Sequence, residues 1–228
     1  MRKIFLLLLT IGISTQAFNT KSSNPINNLV LKIEFLSTKF SINKNAIQHA
    51  FNAYEKLRLS GQILNQRYLT IADFSKPSSE KRLFIIDITK MELVLQTLVA
   101  HGRNSGTLFA KSFSNKNESF QSSLGFYLTG NIYKGKHGMS LKLSGIESGI
   151  NDHAMQRAIV IHGANYVNNS LIKKQGYIGR SLGCPAVPQN EVKEIIQTIH
   201  GASLLYIYAP DNGYSKKSKL INDISFIS

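Results

Sequence analysis

The sequence predicts a mainly β domain, sandwich-like or barrel-like, with a few peripheral helices. Between residues 68 and 209 the chain breaks into short apolar runs rich in β-branched and aromatic residues. Turn clusters such as Ser75-Lys76-Pro77-Ser78-Ser79 and Gly102 to Gly106 separate these runs. Helical periodicity is sparse between them. Strands at turn-separated intervals, with few helices between, argue a largely antiparallel sheet wrapped around one core.

Taken in order, residues 1–17 read as an export signal. Arg2-Lys3 forms a positive start, Ile4 to Ile13 a short apolar run, and Thr15-Gln16-Ala17 a small-residue cleavage site. The run is too short to span a bilayer comfortably. The alternative is an uncleaved N-terminal anchor, and with no cysteine near the cleavage site a lipid anchor is not expected. Residues 18–44, rich in Asn, Ser and Lys, read as a linker with a short packed piece. Asn43 or Asn45 can cap a helix whose Ala46, Ala50, Phe51, Tyr54 and Leu57 share a face and which Gly61 stops. His49 on that helix reads as a surface residue.

The strand candidates follow: Tyr68 to Phe74, Arg82 to Asp87, Leu93 to Ala100, Leu124 to Thr129, Ser140 to Leu143, Ala158 to Ile161 and Leu204 to Ala209. Asp87, inside an apolar run, fits a satisfied core acid or a strand-end turn. One helix interrupts the series. Val192, Ile195, Ile196 and Ile199 recur at helical spacing, Pro188 fits the first helical position, and Gly201 fits the stop. A domain over 45–210 is expected, followed by a polar tail over 211–228.

Composition narrows the function. The 43% hydrophobic and 18% charged content is globular. The formal net charge is +14, carried by dispersed Lys and Arg. Nucleic acid is set aside because the chain reads as exported and its basic residues are not striped. Attraction to anionic envelope polymers and a merely solubilising basic surface both remain open. No Cys pair or His-Glu-x-x-His pattern suits zinc, so no metal is expected. Phosphate-loop spacing and the Gly-x-Ser-x-Gly nucleophile elbow are absent, and Glu147 with Asp152 does not make a glycosidase pair.

The chemistry concentrates around the only cysteine. Gly179-Arg180-Ser181-Leu182-Gly183-Cys184-Pro185 is edged by glycines and stiffened by proline. A lone cysteine is more often a buried small hydrophobe than a nucleophile. The glycine–proline setting and the export signal shift that balance. A cysteine nucleophile needs a base, and His162, 22 residues upstream, closes the Ala158 to Ile161 strand. Backbone N–H groups around Gly183 and Cys184 are the natural oxyanion donors. Arg180 and Ser181 are candidates to contact substrate carboxylates, with loop packing or a surface ion pair as the alternative for Arg180. His101 and His137, each before a glycine, are turn residues first and groove-lining residues second.

His162-Gly163-Ala164 and Ser181-Leu182-Gly183-Cys184 resemble the signature of the YkuD-like L,D-transpeptidases, more closely the murein L,D-transpeptidase catalytic domain-like branch. Val99-Ala100-His101-Gly102, Ser123-Leu124-Gly125-Phe126-Tyr127 and Gly135-Lys136-His137-Gly138 add to the resemblance, which covers roughly residues 45 to 210. Better-known members carry histidine where this chain has Leu182. The resemblance implies a cofactor-free acyl transfer on peptidoglycan stem peptides. Cys184 would form a thioester, His162 would move the proton, and a carbonyl in the Gly163 region would orient the imidazole. An amine acceptor gives transpeptidation, and water gives an L,D-carboxypeptidase. An envelope cysteine peptidase or amidase and a non-catalytic wall-binding module are the rival classes.

Overall fold

The structure, a computed structural model, describes residues 25–222. The predicted export signal at 1–17 lies outside them. Eight strands among the described residues form one sheet. They are β1 (Tyr68–Asp73), β2 (Leu83–Asp87), β3 (Glu92–Thr97), β4 (Gly125–Gly135), β5 (Gly138–Gly145), β6 (Val160–Ala164), β7 (Ala186–Pro188) and β8 (Leu204–Tyr208). Their order is β3-β2-β1-β8-β4-β5-β6-β7. Pairing is antiparallel except at β1–β8 and β6–β7.

Past β3 the chain crosses to the far end of the sheet. Ala100 pairs with Ala186, its N–H donating to the Ala186 carbonyl at 2.8 Å, and Gly102 pairs with Ser181. The two ends of the strand order therefore meet in a near-barrel, as the sequence predicts. Inside lies one main core in which Phe126 stacks on Tyr206, 4.1 Å between ring centroids.

The helices are α1 (Pro25–Phe40), α2 (Lys44–Leu59), α3 (Asn169–Gln175), α4 (Val192–Ile199), α5 (Asn212–Lys217) and α6 (Lys219–Asn222). Asn43 caps α2, its side-chain oxygen accepting from Asn45 and Ala46 N–H. The predicted face of α2 is buried, and the helix packs against β1 and β8. All four apolar residues of α4 are buried, and that helix packs against β1, β5 and β6.

Several elements differ from the sequence reading. The stretch read as a linker holds α1, because Ile33 and Leu36 form a buried stripe facing α2. The tail holds α5 and α6. Tyr214 and Ser218 there donate to buried Glu147, which also accepts the Phe126 N–H. His49 is half-buried and meets the Tyr206 hydroxyl at 3.4 Å. Asp87, by contrast, is as read from the sequence, a buried and satisfied acid at the end of β2, accepting from Arg67 and from Thr89 and Lys90 N–H. Pro188 belongs to β7, in parallel register with Ala164, and α4 starts only at Val192. Proline is tolerated there because β7 is the last strand in the order, where one N–H face needs no ladder partner.

Candidate active site

Strand β6 runs through His162 and Gly163 rather than ending before them. The reason is pairing on both sides, with Ser140 of β5 and Ala186 of β7 flanking His162. The imidazole is thus held by the barrel wall itself. Its Nδ1 lies 2.9 Å from the Gly163 carbonyl. A carbonyl can only accept, so Nδ1 carries the proton and Nε2 keeps the basic lone pair. Burial pushes the His162 pKa down, and nearby His137 and Lys136 push it further, against the Gly163 bond.

Cys184 lies two residues before β7 on the loop that parallel pairing fastens beside β6. It and His162 line one cavity of about 550 Å³, together with Tyr133, His137, Tyr166 and Arg180. The half-buried thiol is 3.7 Å from the Ala158 carbonyl. Burial pushes its pKa up. The Val160 N–H, the Arg157 and Lys136 charges and its own N–H pull the other way. Both directions leave a resting pair of thiol and neutral imidazole at neutral pH.

The loop is internally cross-braced. Ser181 Oγ donates to the Cys184 carbonyl at 2.6 Å and accepts the Gly183 N–H at 3.1 Å. Ser122 Oγ donates to the Gly183 carbonyl at 3.1 Å and accepts the Gly102 N–H at 3.0 Å. Gly183 adopts φ +128°, and a Cβ there would meet the Gln121 carbonyl at 2.9 Å. Only glycine suits both the backbone angle and the close approach.

This geometry bears on two expected roles. Ser181 is buried and its hydroxyl is bonded within the loop, so it braces the loop while lining the cavity. The Gly183 N–H is already bonded to Ser181 Oγ, whereas the Cys184 N–H has no backbone carbonyl partner among the described residues. Arg180 stays at the cavity rim, exposed, its Nη1 3.3 Å from the Gly106 carbonyl. Gly163 keeps its orienting position through its carbonyl.

Of the two turn histidines, His101 is a fully buried part of the frame. Arg82, also fully buried, donates to its Nδ1 at 2.7 Å, and its Nε2 lies 3.2 Å from the Gly106 carbonyl. His137 sits at the tip of the β4–β5 hairpin, lines the cavity, and stacks on His162. Both roles read from the sequence, turn and groove lining, hold for it. The signal lay in Gly135-Lys136-His137-Gly138, where two glycines bracket a two-residue turn between strands.

A cysteine and a buried, tautomer-fixed histidine in one cleft of a β near-barrel are the parts that nucleophilic cysteine chemistry requires. Residues 38–208 match the family model described as "L,D-transpeptidase catalytic domain". The chain belongs to this family. Solved structures similar to it include an L,D-transpeptidase from Mycobacterium smegmatis, at 11% identity and TM-score 0.39, covering 63% of this chain and 59% of that one. Another is the L,D-transpeptidase from Xylanimonas cellulosilytica, at 13% identity and TM-score 0.36, covering 62% and 60%. A third is the helical cell shape determining protein Pgp2 from Campylobacter jejuni, at 12% identity and TM-score 0.41, covering 75% and 58%. The chain thus spans about three fifths of the length of the structures it matches. No curated protein matches it.

Proposed function

We propose that the protein is a peptidoglycan L,D-transpeptidase that works through Cys184 and His162. Family membership supports the reaction class. The observation that carries the residue assignment is the shared cavity, with the His162 tautomer fixed by the Gly163 carbonyl.

The free Nε2 takes the thiol proton as the sulfur attacks the carbonyl carbon of a stem-peptide bond. The C–S bond forms and the carbonyl electron pair moves onto oxygen, where the Cys184 N–H donates to it. That intermediate collapses as His162 returns the proton to the departing amine nitrogen, and the C–N bond breaks to leave a thioester. An acceptor amine then attacks the thioester and gives its surplus proton to His162. Sulfur leaves as a thiolate and takes that proton back from His162, and a new amide remains. Arg180 at the rim faces incoming carboxylates. No step calls for a cofactor.

Export of the chain is part of this reading, since its substrate lies outside the cytoplasm. It rests on the apolar run after Arg2-Lys3. The test is mass analysis of purified muropeptides incubated with the mature protein. Cross-linked dimers with loss of one amino acid per bond formed support transfer. Trimmed monomers alone would make water the acceptor. Unchanged muropeptides would overturn the proposal.

A further inference from the structure

Arg157, on the turn that leads into β6, is half-buried and lines the same cavity as Cys184. Its guanidinium is held by four bonds to the loop opposite. Nη1 donates to the Ser114 carbonyl at 2.7 Å and to Ser123 Oγ at 2.5 Å. Nη2 donates to the Gln121 carbonyl at 2.6 Å and to Ser119 Oγ at 3.2 Å. Every one of these acceptors is neutral. Among the described residues no carboxylate pairs with Arg157. A partly buried cation carries a desolvation cost that neutral acceptors offset only in part.

The cation also sits beside the nucleophile loop. A Cβ built on Gly183, the residue before Cys184, would lie 3.3 Å from Arg157 Nη2. The guanidinium is therefore fixed in place and short of an anion next to the one group in the cavity that becomes anionic. We infer that Arg157 is an electrostatic positioning residue for Cys184, a fixed cation whose missing counter-ion is the thiolate formed during turnover. It acts through the sulfur without needing to touch the substrate. The inference rests on Cys184 being the nucleophile.

Other charged or titratable groups face the thiol as well. Tyr133 comes from β4, Lys136 and His137 from the β4–β5 tip, His162 from β6, Tyr166 from the turn after β6, and Arg180 from the loop of Cys184 itself. Lys136 and Arg180 are exposed and His162 is neutral at rest, so Arg157 is the half-buried, fully bonded cation among them. Burial pushes the Arg157 pKa down, against Tyr127 and Cys184, and the Arg157 charge in turn favours the thiolate.

Cys184 is the only cysteine, so alkylation of the whole protein reads this thiol alone. The experiment measures the rate of modification by iodoacetamide against pH, by intact mass, with no substrate present. Two variants separate charge from bonding. Arg157→Gln keeps amide donors for the loop and removes the charge. Arg157→Lys keeps the charge and gives up the forked bonds. For Arg157→Gln the midpoint should rise by about one pH unit, slowing alkylation about tenfold below the midpoint. For Arg157→Lys it should stay near wild type even if thermal stability falls. A Gln midpoint equal to wild type, or equal shifts in Gln and Lys, would overturn the inference. Because no muropeptide is involved, a failed transpeptidation assay leaves this result readable on its own.

Discussion

The His137 imidazole lies on that of His162, with 4.3 Å between ring centroids and 19° between ring planes. One ring comes from the barrel wall and the other from a hairpin tip, so the stack closes the hairpin onto the base. Stacked rings restrict the rotation of the His162 side chain, whose Nε2 must point at the sulfur. His137→Ala is expected to lower kcat by about ten- to hundredfold through misplacement of the base, with KM little changed. His137→Phe restores a stacking face and should recover most of that loss. Steady-state kinetics check this, and a Phe variant as poor as the Ala variant would refute positioning by stacking.

The pH profile follows from His162. In the proposed mechanism its base form is the active one, and burial with the neighbouring His137 and Lys136 depresses its pKa below the ordinary 6.5. A depressed pKa keeps the imidazole neutral to lower pH. The acid limb of kcat/KM should therefore fall below pH 6.5. An acid limb at or above that value would mean that some other group titrates.

Ser181→Ala removes the hydroxyl that bridges the Gly183 N–H and the Cys184 carbonyl. Both groups are left without that partner, at a cost of about 1–3 kcal/mol. We expect lower thermal stability and a lower kcat, because the loop that presents the thiol loosens. Ser181→Thr keeps the hydroxyl and should restore both. If the Ala variant loses neither, the bridge is incidental.

His101 gives a stability prediction of opposite kind. Burial and the adjacent Arg82 depress its pKa to about 4. Between about 4 and 6.5 the unfolded chain binds a proton that the folded one excludes. The contribution of His101 to stability is therefore complete above pH 6.5 and lost as pH falls towards 4. His101→Gln keeps an acceptor for Arg82 and removes this titration. Its melting temperature should fall less steeply over that range than wild type, as read by thermal melts at several pH values. Identical slopes would place the titration elsewhere.

Much of the barrel was legible because its strands are turn-bounded runs of Ile, Leu, Val, Phe and Tyr, as in Leu204–Tyr208 and Leu83–Asp87. The three-residue β7 was not, since Ala186-Val187-Pro188 becomes a strand only by pairing with β6. Helix α1 was hidden by its polar composition, because its packing needs little more than Ile33 and Leu36. The cysteine and its histidine stood out through their glycine neighbours. The duties of Ser181, His137 and Arg157 did not, because each depends on a contact between segments far apart in sequence. The bracing bonds of the Ser181 hydroxyl are invisible in the sequence because they close a turn whose shape only the fold supplies.

Cys184→Ser tests the account most directly, read by the masses of muropeptides after incubation. Serine keeps the shape of the side chain but offers a hydroxyl too weakly acidic for His162 to activate in this setting. Wild type should yield cross-linked dimers and, when quenched early, a thioester adduct on the intact protein. Cys184→Ser should yield neither while keeping the melting behaviour of the folded chain. Wild-type turnover by Cys184→Ser would contradict the assignment of this thiol as the nucleophile.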